Sequence, residues 1–347
     1  MRLNKLIASF AIIGSIMTFG CNKDSVINQS EVSISENLQE EDASLFEGKR
    51  RCVAHEYNED LMAKDASFRE NQRQIEEFTT RFVAENRGLQ SRAVITIPVV
   101  VHVVYKTAAE NISDAMIQSQ INVLNEDFRK LNADRSKVPT AFAGLAADYE
   151  INFCLAKRTP AGVATNGIER KATTKKSFTT NNAMKSSKQG GLDAWDATQY
   201  LNLWSCNMSG GILGYAQFPG GSPATDGVVI LYSAFGYNSP EVPYNLGRTA
   251  THEVGHWLNL RHIWGDASCG NDQVADTPTQ QTANYGCPAY PHVTCSNTGD
   301  MSMNYMDYTD DACMFMFSTG QRERGRAILL SGGSRASLAS SLGCTPP

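Results

Sequence analysis

At 347 residues, 41% hydrophobic and 19% charged, the chain is long enough for one sizeable domain with shorter appendages, and apolar enough to bury a core. Its 31 Lys and Arg against 36 Asp and Glu give a formal net charge of −5 with no basic stripe or tail, which argues against a nucleic-acid partner. Nine cysteines behind an export-type N-terminus point to an oxidising compartment, and the odd count leaves at least one for another task.

Residues 1–20 read as a signal peptide. Arg2 and Lys5 supply the positive start, and Leu6 to Phe19 is an apolar run ending at Gly20, shorter than the ~20 residues of a membrane span. Cys21 follows at once and resembles the lipidated cysteine of bacterial lipoproteins, with Thr18 and Phe19 departing from the usual residues. A lipid anchor on Cys21 is expected, placing the protein on a bacterial outer surface; plain secretion is the alternative. Residues 21–50, with Glu40, Glu41 and Asp42 in a row, read as an acidic flexible tether.

Residues 51–92 form a pro-segment. Ile75, Phe78 and Phe82 recur at helical spacing between Asp65 and Asn86. Before them stands Arg50-Arg51-Cys52, and a cysteine at the start of a pro-segment can ligate zinc as thiolate; the alternative is a disulfide partner. Arg87-Gly88 and Ser91-Arg92 lie in a polar connector suited to maturation cleavage.

The remaining residues, 93–347, make the main domain, which the motif at 252–262 marks as catalytic. Val94 to Tyr105 is a long β-branched run expected to be a central strand, with His102 a core histidine rather than a ligand. Ser113 caps a helix with apolar positions Ile117, Ile121, Leu124, Phe128 and Leu131. Strands are expected at 150–156, 167–171, 200–206 and 227–232, an α/β pattern of a twisted, mainly parallel sheet with backing helices. Gly210 to Phe218 is glycine-rich but has no following Lys or helix, which excludes a phosphate loop.

The chemistry concentrates in His252-Glu253-Val254-Gly255-His256-Trp257-Leu258-Asn259-Leu260-Arg261-His262. His252 and His256, four apart on a helix, share one face and can reach one cation. Glu253 is placed beside the cation as a proton acceptor for water, not as a ligand. For His262 to join them the helix must end abruptly near Asn259, a residue that tolerates the left-handed conformation. Three neutral nitrogens then leave a fourth position open, the catalytic rather than the structural arrangement of zinc.

This stretch resembles the metzincin signature HExxHxxGxxH, with Asn259 at the glycine position. Its wording, followed by Ile263-Trp264-Gly265-Asp266, is similar to the pappalysin branch of those metallopeptidases. Met303-Asn304-Tyr305-Met306-Asp307-Tyr308 resembles the same family's Met-turn. The resemblance implies a metzincin-like domain with a backing helix, an active-site helix and a Met-turn subdomain below the zinc. It implies that Met306 floors the zinc site, that Tyr308 donates to the oxyanion, and that Cys52 is a cysteine switch, with Val53 where the family has glycine. It implies a substrate-binding edge strand at Leu213, Gly214, Tyr215 and Ala216. Four cysteines lie downstream without the close pairing of a zinc knuckle, so two disulfides are expected. Spacing leaves three pairings open, and the resemblance favours Cys269–Cys295 and Cys287–Cys313. By resemblance too, Asp272, Asp276 and Thr277 are candidate calcium ligands. The pairing of Cys154, Cys206 and Cys344 is open, with Cys154–Cys206 one option and Cys344 without an evident partner, and Asn304 is expected to border the pocket beyond the scissile bond. The function implied is a secreted or surface-anchored zinc endopeptidase acting on proteins or peptides and made as a latent zymogen. A non-catalytic surface-binding lipoprotein stabilised by zinc is the alternative from another class; a gluzincin-type peptidase is disfavoured by His262 and the Met-turn.

Overall fold

A computed structural model describes residues 51–86 and 93–347. The expected signal peptide, Cys21, the expected tether and the connector proposed for cleavage lie outside the described residues. Residues 50–347 group as one compact unit, so 51–86 docks onto the rest of the domain.

Residues 51–86, the expected pro-segment, supply β1 (Arg51–Cys52), α1 (Ala54–Lys64) and α2 (Ala66–Glu85). Asp65 caps α2, its carboxylate accepting from the Ser67 and Phe68 amides. The central strand is β2 (Ile95–Tyr105), β-branched and buried along nearly its whole length. One edge of β2 pairs first with β3 (Ile151–Leu155) and then with β4 (Ile168–Ala172); the other pairs with β5 (Leu201–Cys206). β5 pairs with β7 (Val228–Leu231), and β7 with β6 (Ile212–Ala216), the one antiparallel pairing of the seven-stranded sheet. β1 adds to the outer edge of β6 in parallel.

Alternation along β2 sorts two cores. Ile97, Val99, Val101 and Val103 meet α3 (Asp114–Phe128) through Ile117, Ile121, Leu124 and Phe128. On the other face Val104, Trp204, Tyr215 and Val229 meet Cys52, Val53, Ala54 and Tyr57 of the pro-segment, so that core is completed by residues 52–57. Leu131 departs from the expected apolar face. α3 ends at Phe128, Lys130 takes φ 52, and Leu131 is turned out to 62% exposure. His102 is a satisfied core histidine, bonded to Glu169 at 2.8 Å and Asn202 at 2.9 Å and stacked on Trp204.

After a one-turn α4 (Thr140–Ala143), the helix α5 (Arg248–Trp257) lies between the sheet and an irregular lower subdomain rich in buried methionines. That subdomain holds disulfides Cys269–Cys295 and Cys287–Cys313 and ends in α6 (Thr319–Ala327), opened by a Ser318/Gln321 capping box. Cys154 pairs with Cys344, not with Cys206. β3 and β5 flank β2 on opposite sides, and Cys154 is level with Pro98 while Ser205, next to Cys206, is level with Val103. The two cysteines are thus two strand spacings and about six residues apart, roughly 20 Å, beyond disulfide reach. Asn304 is also corrected: it is buried and bonded to Gln321 and to the Met306 amide, bracing the Met-turn rather than bordering a pocket.

Candidate active site

Every residue of α5 is buried, and His252 and His256 leave it on one face. The helix ends in a Schellman turn: Asn259 takes φ 72, its amide donates to His256 O at 2.8 Å, and Leu260 donates to Gly255 O at 3.0 Å. That turn brings His262 back. His252 Nε2 lies 3.0 Å and His262 Nε2 3.1 Å from His256 Nε2.

The other ring nitrogens fix the chemistry. His252 Nδ1 donates to the Tyr305 carbonyl at 2.7 Å, His256 Nδ1 to the Leu260 carbonyl at 2.8 Å, and His262 Nδ1 to Asp266 Oδ1 at 2.5 Å. With each Nδ1 protonated, three Nε2 lone pairs face one another and cannot satisfy one another. Burial, then the charge of His262, pushes His252 down to about 3 and His256 well below its ordinary value, so both stay neutral. The Cys52 sulfur completes a cluster whose four donor atoms lie within 4.8 Å of one another. Burial, then Glu253, pushes the Cys52 thiol up; a bound cation is what would make it a thiolate. Three imidazoles and a sulfur suit zinc, and neutral lone pairs aimed at a common point fit a cation there.

Glu253 faces the same space. It is wholly buried, neither carboxylate oxygen has a hydrogen-bond partner, and burial pushes its pKa up to about 8, opposed by the neighbouring Cys52. Gly214 makes room for it: a Cβ there would lie 2.8 Å from Val229 O and 3.0 Å from Glu253 Cγ. Tyr308 O–H donates to the Cys52 carbonyl at 3.0 Å, and burial, then Cys52, pushes the phenol well up, keeping it a donor. Of the edge-strand residues, Leu213 lines the cleft, while Tyr215 points away to Asn182 and the Tyr57 ring. The edge itself is taken by the pro-segment, through Arg51 N to Gly211 O at 3.1 Å and Val53 N to Gly214 O at 3.2 Å.

The Met-turn lies directly under α5. Met306 is fully buried against Gly255, where a Cβ would come within 2.4 Å of its sulfur, and its carbonyl accepts from Ile263 N. Asp272 accepts the Thr277 hydroxyl at 3.0 and 2.9 Å, whereas Asp276 turns to α6 and accepts from Ser318 Oγ and Gly320 N.

Sequence reasoning gave no role to three residues here: Asp266, Gly255 and Glu76 of α2, whose carboxylate reaches Asn259. A glycine inside an amphipathic helix was the available signal for Gly255. The spacing of four from His262 was the signal for Asp266.

A histidine triad arranged to hold a cation, beside a buried carboxylate, is the layout of a metallopeptidase-type centre. The model of peptidase family M43, described as pregnancy-associated plasma protein-A, matches residues 184–330. Extracellular metalloprotease 1 of Coccidioides posadasii is 35% identical over 67% of this chain and 76% of its own length. An extracellular metalloprotease of Podospora anserina is 33% identical over 79% and 86%. Among solved structures, mature mirolysin of Tannerella forsythia with a cleaved peptide superimposes with TM-score 0.71 at 52% identity, covering 72% of this chain and 98% of that one. A promirolysin mutant gives 0.77 at 48% identity over 84% and 97%. The chain belongs to this family, the pappalysin metallopeptidases.

Proposed function

We propose that this chain is an exported zinc endopeptidase, lipid-anchored through Cys21 after removal of residues 1–20, and held latent by residues 51–92. The observation that carries it is the set of three converging Nε2 atoms with every Nδ1 already engaged, beside a wholly buried carboxylate whose polar neighbour is the Cys52 thiol. His252, His256 and His262 would hold zinc, which supplies Lewis-acid activation of water and of a peptide carbonyl. Glu253 accepts the proton of the attacking water and passes it to the leaving amine. Tyr308 donates to the developing oxyanion, a role supported by its bond to a peptide carbonyl, that of Cys52. β6 receives the extended substrate through its main chain once β1 has left. Cys52, meanwhile, is the fourth donor of the latent form and Met306 the apolar floor.

A structural zinc would not need Glu253, and this separates the enzyme from a zinc-stabilised binding module. Purified full chain, incubated with and without a zinc chelator, is followed by mass spectrometry of a peptide library. Cleavage that stops with chelator, and that Glu253→Ala abolishes while bound zinc stays stoichiometric, is the expected result. Cleavage surviving either treatment sinks the mechanism. The proposal keeps structural calcium at Asp272, Asp276 and Thr277 on the family resemblance, with Asp272 and Thr277 adjacent and Asp276 engaged by Ser318 and Gly320. A melting temperature insensitive to calcium would remove that part.

A further inference from the structure

Glu76 sits on α2, yet its carboxylate is held by the domain that bears the three histidines. Oε1 accepts from Asn259 Nδ2 at 3.0 Å and from Arg324 Nη2 at 2.5 Å, and Oε2 lies 3.8 Å from Arg261 Nη2. The receiving groups are built in place. Asn259 is 1% exposed, the Arg324 side chain 4%, and Arg324 Nε is fixed on the Asn259 carbonyl at 2.8 Å. Among the described residues, Glu76 is the one carboxylate within 4.0 Å of Arg324. Arg324 and Asn259 are fixed by the domain itself, so a carboxylate that takes the place of Glu76 meets donors already oriented.

The site borders the cleft. Asn259 is the turn between His256 and His262, and Arg261 immediately precedes His262. A cavity of about 290 Å³ between residues 55–76 and the domain sets Asn259 and Arg261 beside Phe218, edge-on to His256, and Asp266, bonded to His262; departure of residues 55–76 opens that face. Strand direction says which arm of a substrate passes it. β1 runs parallel to β6, and the pro-segment continues past the end of β6, where Asn71 and Gln72 of α2 donate to the Gly220 and Pro219 carbonyls. A peptide adding to β6 in the more stable antiparallel sense runs the other way, so its residues upstream of the scissile bond pass the end of β6.

We infer that, once the pro-segment is gone, Asn259, Arg261 and Arg324 bind an acidic side chain of the substrate, upstream of the scissile bond. This selects among substrates of the peptidase proposed above and rests on that reading.

The full chain, left to complete its own maturation, is assayed on neutral peptides carrying a single Glu, or Gln as control, at successive positions on both sides of the cleaved bond. At one upstream position kcat/KM for Glu exceeds that for Gln about tenfold, the effect lying in KM and shrinking at high salt. In Asn259→Gly and in Arg261→Ala the ratio falls to about one, and Arg261→Lys restores part of it. Glycine adopts the φ of 72 freely and the Arg261 side chain is 41% exposed, so both variants keep the turn. The ratio is read within each variant and does not depend on its overall rate. Glu equal to Gln upstream, a preference confined to the downstream side, or one that survives both substitutions overturns the inference while leaving the peptidase standing. Cleavage of no peptide at all overturns both.

Discussion

Replacing Asp266 by Asn probes how the third histidine is held. His252 and His256 donate Nδ1–H to main-chain carbonyls, but His262 donates to a carboxylate, at 2.5 Å. Asp266 sits at φ 54, a conformation Asn tolerates, and the amide oxygen keeps the acceptor, so the substitution removes charge and little else. A hydrogen bond to a charged group contributes about 1.5–3 kcal/mol and a neutral one about 0.5–1.5, leaving a difference of about 1–1.5 kcal/mol. At about 1.4 kcal/mol per decade, zinc affinity should fall roughly five- to tenfold, at the low end of what partners of metal-binding histidines contribute. The second carboxylate oxygen lies 3.4 Å from His55, a partly exposed pair of small consequence. Zinc competition against a chromophoric chelator, on wild-type and variant full chain at one pH, measures the change, with circular dichroism checking the fold. An unchanged zinc dissociation constant in a folded variant would refute the reasoning. A loss far beyond a hundredfold would also count against it, since charge removal alone does not misplace a ligand.

Cys52→Ala removes the sulfur from the four-donor cluster and should give a precursor that matures faster or cleaves peptide unprocessed; latency equal to wild type in a burst-phase assay would dismiss the switch. Gly255→Ala places a Cβ 2.4 Å from the Met306 sulfur and 3.5 Å from Phe317 Cε1, so overpacking should cost about 1–3 kcal/mol in urea unfolding. Much of that should return when Met306→Ala is added, and a fully additive double variant would contradict the contact. Asp127 is buried between Arg248, Thr251 and Tyr305, and burial holds it up at about 6. A pKa raised on folding favours the native state below the unfolded value of about 4, and that contribution is lost as pH rises through 6. Asp127→Asn should therefore flatten the stability profile between pH 4 and 6 relative to wild type, and a parallel profile would mean that another group titrates there.

The three histidines and Glu253 were legible because helical spacing alone puts two imidazoles on one face and because a left-handed residue had to follow them. Asn259 at φ 72 is where that turn falls. The sheet was legible through β2, whose β-branched run has one burial state on both faces. What failed needed knowledge of which strands lie between which. Cys154 and Cys206 are similar cysteines in similar strands, and only the sheet order shows β2 separating them. Leu131 continues the apolar period of α3 in sequence, but Lys130 breaks the helix before the pattern ends. Asn304 was expected at the pocket beyond the scissile bond. Its amide is spent instead on Gln321, a partner 17 positions away that no local pattern reveals.

The pro-segment engages each feature that the proposed mechanism requires of a substrate. Cys52 sulfur sits with the three nitrogens, the Cys52 carbonyl takes the Tyr308 hydroxyl, and the Arg51 and Val53 amides take the β6 edge. Yet β1 runs parallel to β6, opposite to the antiparallel addition expected of a substrate. Reversing the chain exchanges the amide and carbonyl sides of each peptide unit along the edge. A peptide bond beside Cys52 thus presents its carbonyl carbon and nitrogen in the reverse order along β6 to that of an antiparallel substrate. Reversal also explains why the segment is fastened so far from the zinc-type centre, through Glu76 on Arg324 and Asn259. Parallel pairing is the weaker kind and β1 has only two residues, so the helices that follow must supply the grip that a substrate would take from the strand.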